Sequence, residues 1–374
     1  MPGDALTGHH RAVAAGGVGM TTVAHCAVSA DGRTFGDQLW MRPEVVPALR
    51  RLTDAVHAEG AAVSIQLGHC GGFSKNAEVR GRGPLGPSFA LNPYGLTAGL
   101  PFVRAMSEGD IERTTGEFVA AARLAVEADF DAVELHLGHG YLLSQFLSPA
   151  LNRRRDRHGG ALENRLRFPL AVARRVREAI GGRAAVLAKT NLRDGFAGGL
   201  ELPDAIGVAC ALEAEGLDAL VLSGGVTSRT PFYLFRGRRP LAEMIEVEKS
   251  RLQRVVLRWF GSRVIREYPF EPLFFLPVAR EVRRAVRMPL VLLGGALSLD
   301  DLDAAMREGF ELVAMGRALI ADPDRDMERH TERDAERHPD RHAPRRDTST
   351  FRPVAAAIRL DREEPADADR IRDA

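Results

Sequence analysis

Two histidines and a tyrosine stand at positions 136, 139 and 141, in Glu134-Leu-His-Leu-Gly-His-Gly-Tyr141, where an apolar, strand-like run gives out. Two imidazoles at one strand end can both donate hydrogen bonds to a single oxygen of a bound carbonyl or nitro group. That donation draws electron density out of a conjugated alkene and stabilises the enolate-like charge that forms as hydride arrives. Gln66 and Lys189 close two other apolar runs, Ala62–Gln66 and Ala185–Lys189. Lysine occurs only at 75, 189 and 249 in a chain that otherwise uses arginine, so a lysine ending a buried strand reads as functional. Glycine pairs end three later runs: Ser223-Gly-Gly225, Gly294-Gly-Ala296 and Met315-Gly-Arg-Ala318. Glycines let backbone N–H groups approach an anion, helix N-termini add positive potential, and Arg317 can pair with phosphate oxygens.

These residues need elements that bring strand ends together. The apolar runs Gly19–Val28, Ala62–Gln66, Ala132–His136, Ala185–Lys189, Ala219–Leu222, Leu290–Leu293 and Leu312–Met315 alternate with amphipathic stretches. The latter lie at Val45–Glu59, Glu108–Glu127, Leu162–Ile180, Pro203–Glu215, Pro272–Val286 and Asp300–Glu308. Such alternation predicts a parallel sheet with helices packed outside it. The strand runs are apolar on both faces, as buried parallel strands require. Polar residues and glycines gather at nearly every strand's C-terminal end, the face that carries the chemistry of a (β/α) barrel. No GxGxxG follows the first strand, which argues against an open dinucleotide-binding sheet. The expected fold is therefore an α/β chain with a TIM (β/α)8-type barrel. Seven strands are counted rather than eight, so a barrel lacking its first strand is expected: Met1–Gly8 makes a poor central strand.

The expected division is a barrel over 9–324, with a Gly- and Pro-rich lid or hairpin at 68–103 and an aromatic rim insertion at 227–272. A charged, disordered tail is expected over 325–374, where Arg recurs every fourth residue from 325 to 345. A hydrophobic share of 45% supports a large core, and a net charge of +1 argues against nucleic acid or anionic membrane as partner. Cys26, Cys70 and Cys210 lie far apart, which excludes a disulfide framework and any sequence-local metal site, so no metal is expected. No run of eighteen apolar residues and no signal peptide is visible, which makes the cytoplasm the default.

The segment from Glu134 through Gln145-Phe-Leu-Ser-Pro149, with Asn152-Arg153 and His158-Gly-Gly-Ala-Leu-Glu-Asn-Arg165, resembles the central signature of the old yellow enzyme-like NADH:flavin oxidoreductases. With the features above, the resemblance spans roughly residues 12 to 324. It implies an FMN-dependent ene-reductase that draws electrons from NADH or NADPH and reduces α,β-unsaturated C=C bonds in small enone-like substrates. It assigns His136 and His139 to the substrate oxygen. Tyr141 becomes the proton donor, a role suited to a phenol whose unperturbed pKa is about 10. Gln66 is implied at the flavin pyrimidine ring, and Lys189 at the edge where negative charge gathers on reduction. Gly224, Gly225, Gly294, Gly295, Gly316 and Arg317 are implied at the FMN phosphate. In Gln66-Leu-Gly-His-Cys-Gly-Gly72, Cys70 replaces the family's usual Ala and Gly72 its frequent Arg. The missing first strand supports a second reading, a truncated or degenerate flavin-binding barrel without activity. The 2-hydroxy-acid oxidase and dihydroorotate dehydrogenase barrels fit less well, since a hydroxy acid needs a differently placed base. Homo-oligomerisation is left open.

Overall fold

The computed structural model describes residues 1–321, apart from 80, 82, 238–240, 249, 250 and 265. The charged tail expected over 325–374 lies outside the described residues. An amphipathic helix, α1 (Asp4–Ala15), leads into β1 (Met20–Ala27), α2 (Val46–His57) and β2 (Ala62–Gly68). Three short strands follow, β3 (Leu85–Gly86), β4 (Ala90–Leu91) and β5 (Phe102–Ala105), then α3 (Glu108–Glu127) and β6 (Ala132–Leu137). After these come α4 (Leu142–Leu147), α5 (Leu162–Ile180), β7 (Ala185–Asn191), α6 (Leu202–Ala214) and β8 (Ala219–Ser223). The rim insertion carries α7 (Leu241–Val247) and α8 (Arg251–Val264). The chain then returns through α9 (Leu276–Ala285), β9 (Leu290–Leu293), α10 (Leu299–Arg307), β10 (Leu312–Ala314) and α11 (Arg317–Ala321).

Seven strands form one all-parallel sheet in the order β1-β2-β6-β7-β8-β9-β10. They are the seven runs read from the sequence, each within three residues of its expected bounds. Among the described residues β10 does not pair with β1, so the curled sheet is an incomplete barrel, in line with the count of seven. The segment expected as a lid or hairpin contains a small three-stranded sheet. There β3 runs parallel to β5 and β4 antiparallel to it. Residues 4–15 form a helix not expected from the sequence, packed on α2 and β1.

Helix ends explain much of the registration. Ser107 and Ser298 open α3 and α10 with reciprocal capping boxes to Asp110 and Asp301. These satisfy N–H groups that a helix start leaves without partners. The face of α3 that carries Ile111, Phe118, Ala121, Ala122 and Ala125 is buried against the sheet. At the start of α5, buried Arg165 donates to Leu147 O, to Gly160 O and to the Asp204 carboxylate. One guanidinium thereby ties α4, the loop before α5, and α6 together.

Alternation along the strands sorts the two faces of the sheet. Val133, Leu135, Leu137, Ile65 and Leu67 enter the large core beneath the helices. Ala132, Leu187 and Ala219 form a separate small cluster with Met20 and Ala185, which plugs the inside of the curl. Residues of the same parity continue upward from that plug. On β6 they are Glu134 and His136, on β7 Lys189 and Asn191, on β8 Ser223 and on β2 Ser64, Gln66 and Gly68.

Candidate active site

Register stacks the polar layer. Gln66 on β2 pairs with Glu134 on β6, and His136 pairs with Lys189 on β7. In a parallel sheet such partners share a face, so all four side chains point inward. Glu134 Oε1 receives Gln66 Nε2 at 2.5 Å and Lys189 Nζ at 2.8 Å. The side chain of Glu134 is only 3% exposed and that of Lys189 14%, so this is a buried pair with an added amide donor. Gln66 and Lys189 are expected here from the sequence; Glu134 is not, although it lies two residues before His136 on the same strand face.

The loop after β6 holds the remaining groups. His139 has φ +58°, a left-handed backbone that is uncommon outside glycine. Its N–H donates to Asn191 Oδ1 at 2.9 Å, and its carbonyl accepts the Thr227 N–H at 2.9 Å. Asn191 is fixed in turn by donating to Asp194 Oδ1 and Gly225 O, each at 2.9 Å. The His139 ring meets Ser223 Oγ through Nε2 at 2.7 Å, so one of its nitrogens is already engaged. The nearby Gly140 has φ +76°, and a Cβ there would collide with the Val226 side chain. Tyr141 then caps α4. Gln145 fastens this turn to the end of β2, donating to Gly140 O at 2.7 Å and Cys70 O at 3.1 Å while accepting from Gly72 N–H at 3.0 Å.

The rings converge. His136 lies 5.0 Å from His139 and 4.4 Å from Tyr141 between centroids, and Phe73 closes on Tyr141 at 5.1 Å. Burial lowers the His136 pKa far below the ordinary imidazole range, helped by the fields of His139, His25 and Lys189. Burial and Lys189 bring His139 down to about 3. Burial pushes the Tyr141 phenol up to about 12. The chamber therefore offers neutral imidazoles and a protonated phenol at neutral pH. His136 Nδ1 is buried without a partner.

The glycines expected at a phosphate are less open. Tyr233 and Phe275 stand against Gly224, Tyr233 against Gly225, and Phe274 and Phe275 against Gly294. Backbone of Glu271 and Leu273 covers Gly295, whereas Gly316 faces open space. Arg317 donates to Arg236 O at 3.2 Å, and Arg236 has a buried Nε with no partner. The Arg236 guanidinium, not expected here from the sequence, lies over the Phe274 ring at 4.5 Å. Asp31, His69 and Glu117 also bring potential metal ligand atoms within 4.8 Å of one another. However, His69 Nδ1 accepts the Gly71 N–H at 3.0 Å. The proton of the neutral ring then sits on Nε2, leaving neither nitrogen a free lone pair.

Known proteins agree with this architecture. The profile of the NADH:flavin oxidoreductase / NADH oxidase family matches residues 2–226, and the chain belongs to that family. It is 46% identical over 321 residues to the 4,4'-dithiodibutanoate disulfide reductase of Rhodococcus erythropolis, covering 86% of this chain and 78% of the relative. It is 31% identical over 322 residues to the NADH oxidase of Thermoanaerobacter brockii, covering 85% of this chain but only 44% of that enzyme. The fold matches that of the old yellow enzyme homologue of Zymomonas mobilis with a TM-score of 0.65 at 22% identity, over 92% of this chain and 86% of that one. The protein is thus an NADH:flavin oxidoreductase, a family that uses FMN and a reduced nicotinamide nucleotide, and its incomplete TIM-type barrel has the fold of old yellow enzyme homologues.

The residues present suit that cofactor. A flavin's pyrimidine edge alternates C=O and N–H groups, and the Gln66 amide offers both a donor and an acceptor. Lys189 adds a cation beside it. At the far end, Arg236, Arg317 and the open Gly316 supply charge and backbone access for a phosphate. Among the described residues, no helix is long and apolar enough to cross a membrane.

Proposed function

We propose that this chain reduces the activated C=C bond of α,β-unsaturated carbonyl or nitro compounds at the expense of NADH or NADPH. The observation that carries the reading is the convergence of His136, His139 and Tyr141 at one strand end, directly above Gln66, Glu134 and Lys189. FMN, when bound, supplies the hydride. Gln66 and Lys189 would hold its pyrimidine edge. Gly316 and Arg317 would receive its phosphate, whereas Gly224, Gly225, Gly294 and Gly295 are covered by Tyr233, Phe274, Phe275 and the backbone of Glu271 and Leu273. His136 and His139 donate to the substrate oxygen as neutral imidazoles, and this stabilises charge only as it develops. Tyr141 keeps its proton through neutral pH and delivers it to the alkene carbon that does not receive hydride.

The test is NAD(P)H-dependent loss of cyclohexenone by the FMN-loaded protein, with the two half-reactions measured separately. Tyr141→Phe is expected to slow alkene reduction about a hundredfold or more, the usual weight of a positioned acid, and to spare flavin reduction. Equal loss in both half-reactions would refute the proton-donor role.

The Rhodococcus relative supports a second reading, reduction of an organic disulfide. One sulfur would then accept the hydride and become a thiol, while the other leaves as thiolate and takes a proton. Buried Cys26 and Cys70 are poor partners for thiol–disulfide exchange, since burial pushes each thiol up to about 12. Turnover of 4,4'-dithiodibutanoate without turnover of cyclohexenone would favour this reading over the first.

A further inference from the structure

A third histidine lines the same chamber, with a hydrogen to give and nothing to receive it. His25 sits near the end of β1, where the register against β2 shifts between Val23 and Cys26. Thr22 pairs with Ser64 on the inner face, and simple alternation would next turn Ala24 inward. The irregularity resets that parity, as bulges do. Cys26 then packs into the core beneath the helices, and the His25 ring comes to lie 4.4 Å from Tyr141 and 5.5 Å from His136. Gly68 makes room for it, since a Cβ at that position would collide with His25 Nε2.

The position of the proton on this ring follows from its neighbours. The backbone N–H of Thr34 can only donate, and it meets Gln38 Oε1 at 2.6 Å. The other end of that amide is therefore the NH2 group, which lies 2.7 Å from His25 Nδ1 and 3.2 Å from His25 O. An NH2 group can only donate, so Nδ1 accepts, and a neutral ring carries its hydrogen on Nε2. The ring is neutral because burial, with His69 and Lys189 nearby, lowers its pKa to about 3. Nε2 is buried and has no partner. An orphaned buried donor costs about 1–3 kcal/mol, and such groups concentrate where a ligand completes them.

We propose that His25 is a third hydrogen-bond donor to the substrate, its Nε2–H serving the oxygen atoms of the activating group alongside His136. The inference rests on the reading of this chamber as the substrate site. It deepens that reading by naming a preferred class. His139 meets Ser223 through Nε2 and keeps its other nitrogen for the substrate, while His136 Nδ1 and His25 Nε2, on neighbouring rings, are buried without a partner. A further donor beyond His136 and His139 suits an acceptor with two oxygens, such as a nitroalkene, better than the single oxygen of an enone.

The experiment compares the FMN-loaded wild type with His25→Phe, which keeps a ring but has no donor, and His25→Gln, which restores an N–H. His25→Ala is a second donor-free variant should the phenyl ring fail to pack. FMN dissociation constants and flavin absorbance are expected to stay within about twofold in all of them, because the group addresses substrate. The donor-free variants should lose about tenfold to a hundredfold in kcat/KM for 1-nitrocyclohexene and less for cyclohexenone. His25→Gln should recover much of the loss. In the 15N-histidine-labelled protein, a ring with hydrogen on Nε2 should be visible near neutral pH and should disappear in His25→Phe. Unchanged kcat/KM, or a changed FMN affinity with substrate steps intact, overturns the assignment and leaves the site reading standing. A wild type that binds FMN yet reduces neither alkene overturns both.

Discussion

At the scale of single residues, the Glu134 carboxylate is the hinge of the site, because it holds Gln66 and Lys189 at once. A buried ion pair adds little net stability by itself, but removing one partner strands the other charge at about 3–5 kcal/mol. Glu134→Gln should therefore lower the stability of the FMN-free protein by roughly that amount in urea denaturation. It should also raise the midpoint potential of bound FMN, since an uncompensated Lys189 favours the reduced, more negative flavin. If stability and potential both match the wild type, the clamp is incidental. The same carboxylate bears on how the Lys189 charge acts. In the proposed site the cation would reach the flavin edge already partly offset by Glu134, which its place in the sequence alone does not convey.

At the scale of elements, the site depends on two departures from regular strand geometry. One is the shift in β1 that turns His25 inward, and the other is the left-handed turn at His139 and Gly140 that swings Tyr141 over the sheet. Gly140→Ala would combine a strained φ with a collision against Val226. The expected cost is about 1–3 kcal/mol of stability, with slower alkene reduction and FMN still bound. Thermal melting together with half-reaction kinetics would check this, and wild-type rates in a destabilised protein would show that the turn does not position Tyr141.

At the scale of the whole molecule, the buried imidazoles couple stability to pH. His25, His69 and His139 have folded-state pKa values of about 3, 4 and 3, and His136 is also well below 6.5. In the unfolded chain each returns to about 6.5. Below that pH the unfolded state binds protons that the folded state refuses, so unfolding is favoured as acid is added. Their contribution is complete above about pH 6.5 and is lost as the pH falls towards 3. Each imidazole adds at most about 1.4 kcal/mol per pH unit over that window. Urea midpoints should therefore fall steadily from pH 7 to pH 5. A midpoint that does not change over that range would mean that these rings are solvated in the protein.

The seven parallel strands and the chemistry at their ends are legible in the amino-acid sequence, because apolar runs and terminal polar residues are local patterns. It placed His136, His139, Tyr141, Gln66 and Lys189 at one barrel mouth, and the fold brings them there. Strand alternation even held the clue to Glu134, two residues from His136. Which groups share that carboxylate follows from the fold, since Gln66 and Glu134 are 68 residues apart and meet through register. Nor does composition reveal that Tyr233, Phe274 and Phe275 cover the glycines, or that an irregular step in β1 turns His25 into the chamber. Those outcomes depend on long-range packing and on a single shift in register, which local residue preferences do not encode.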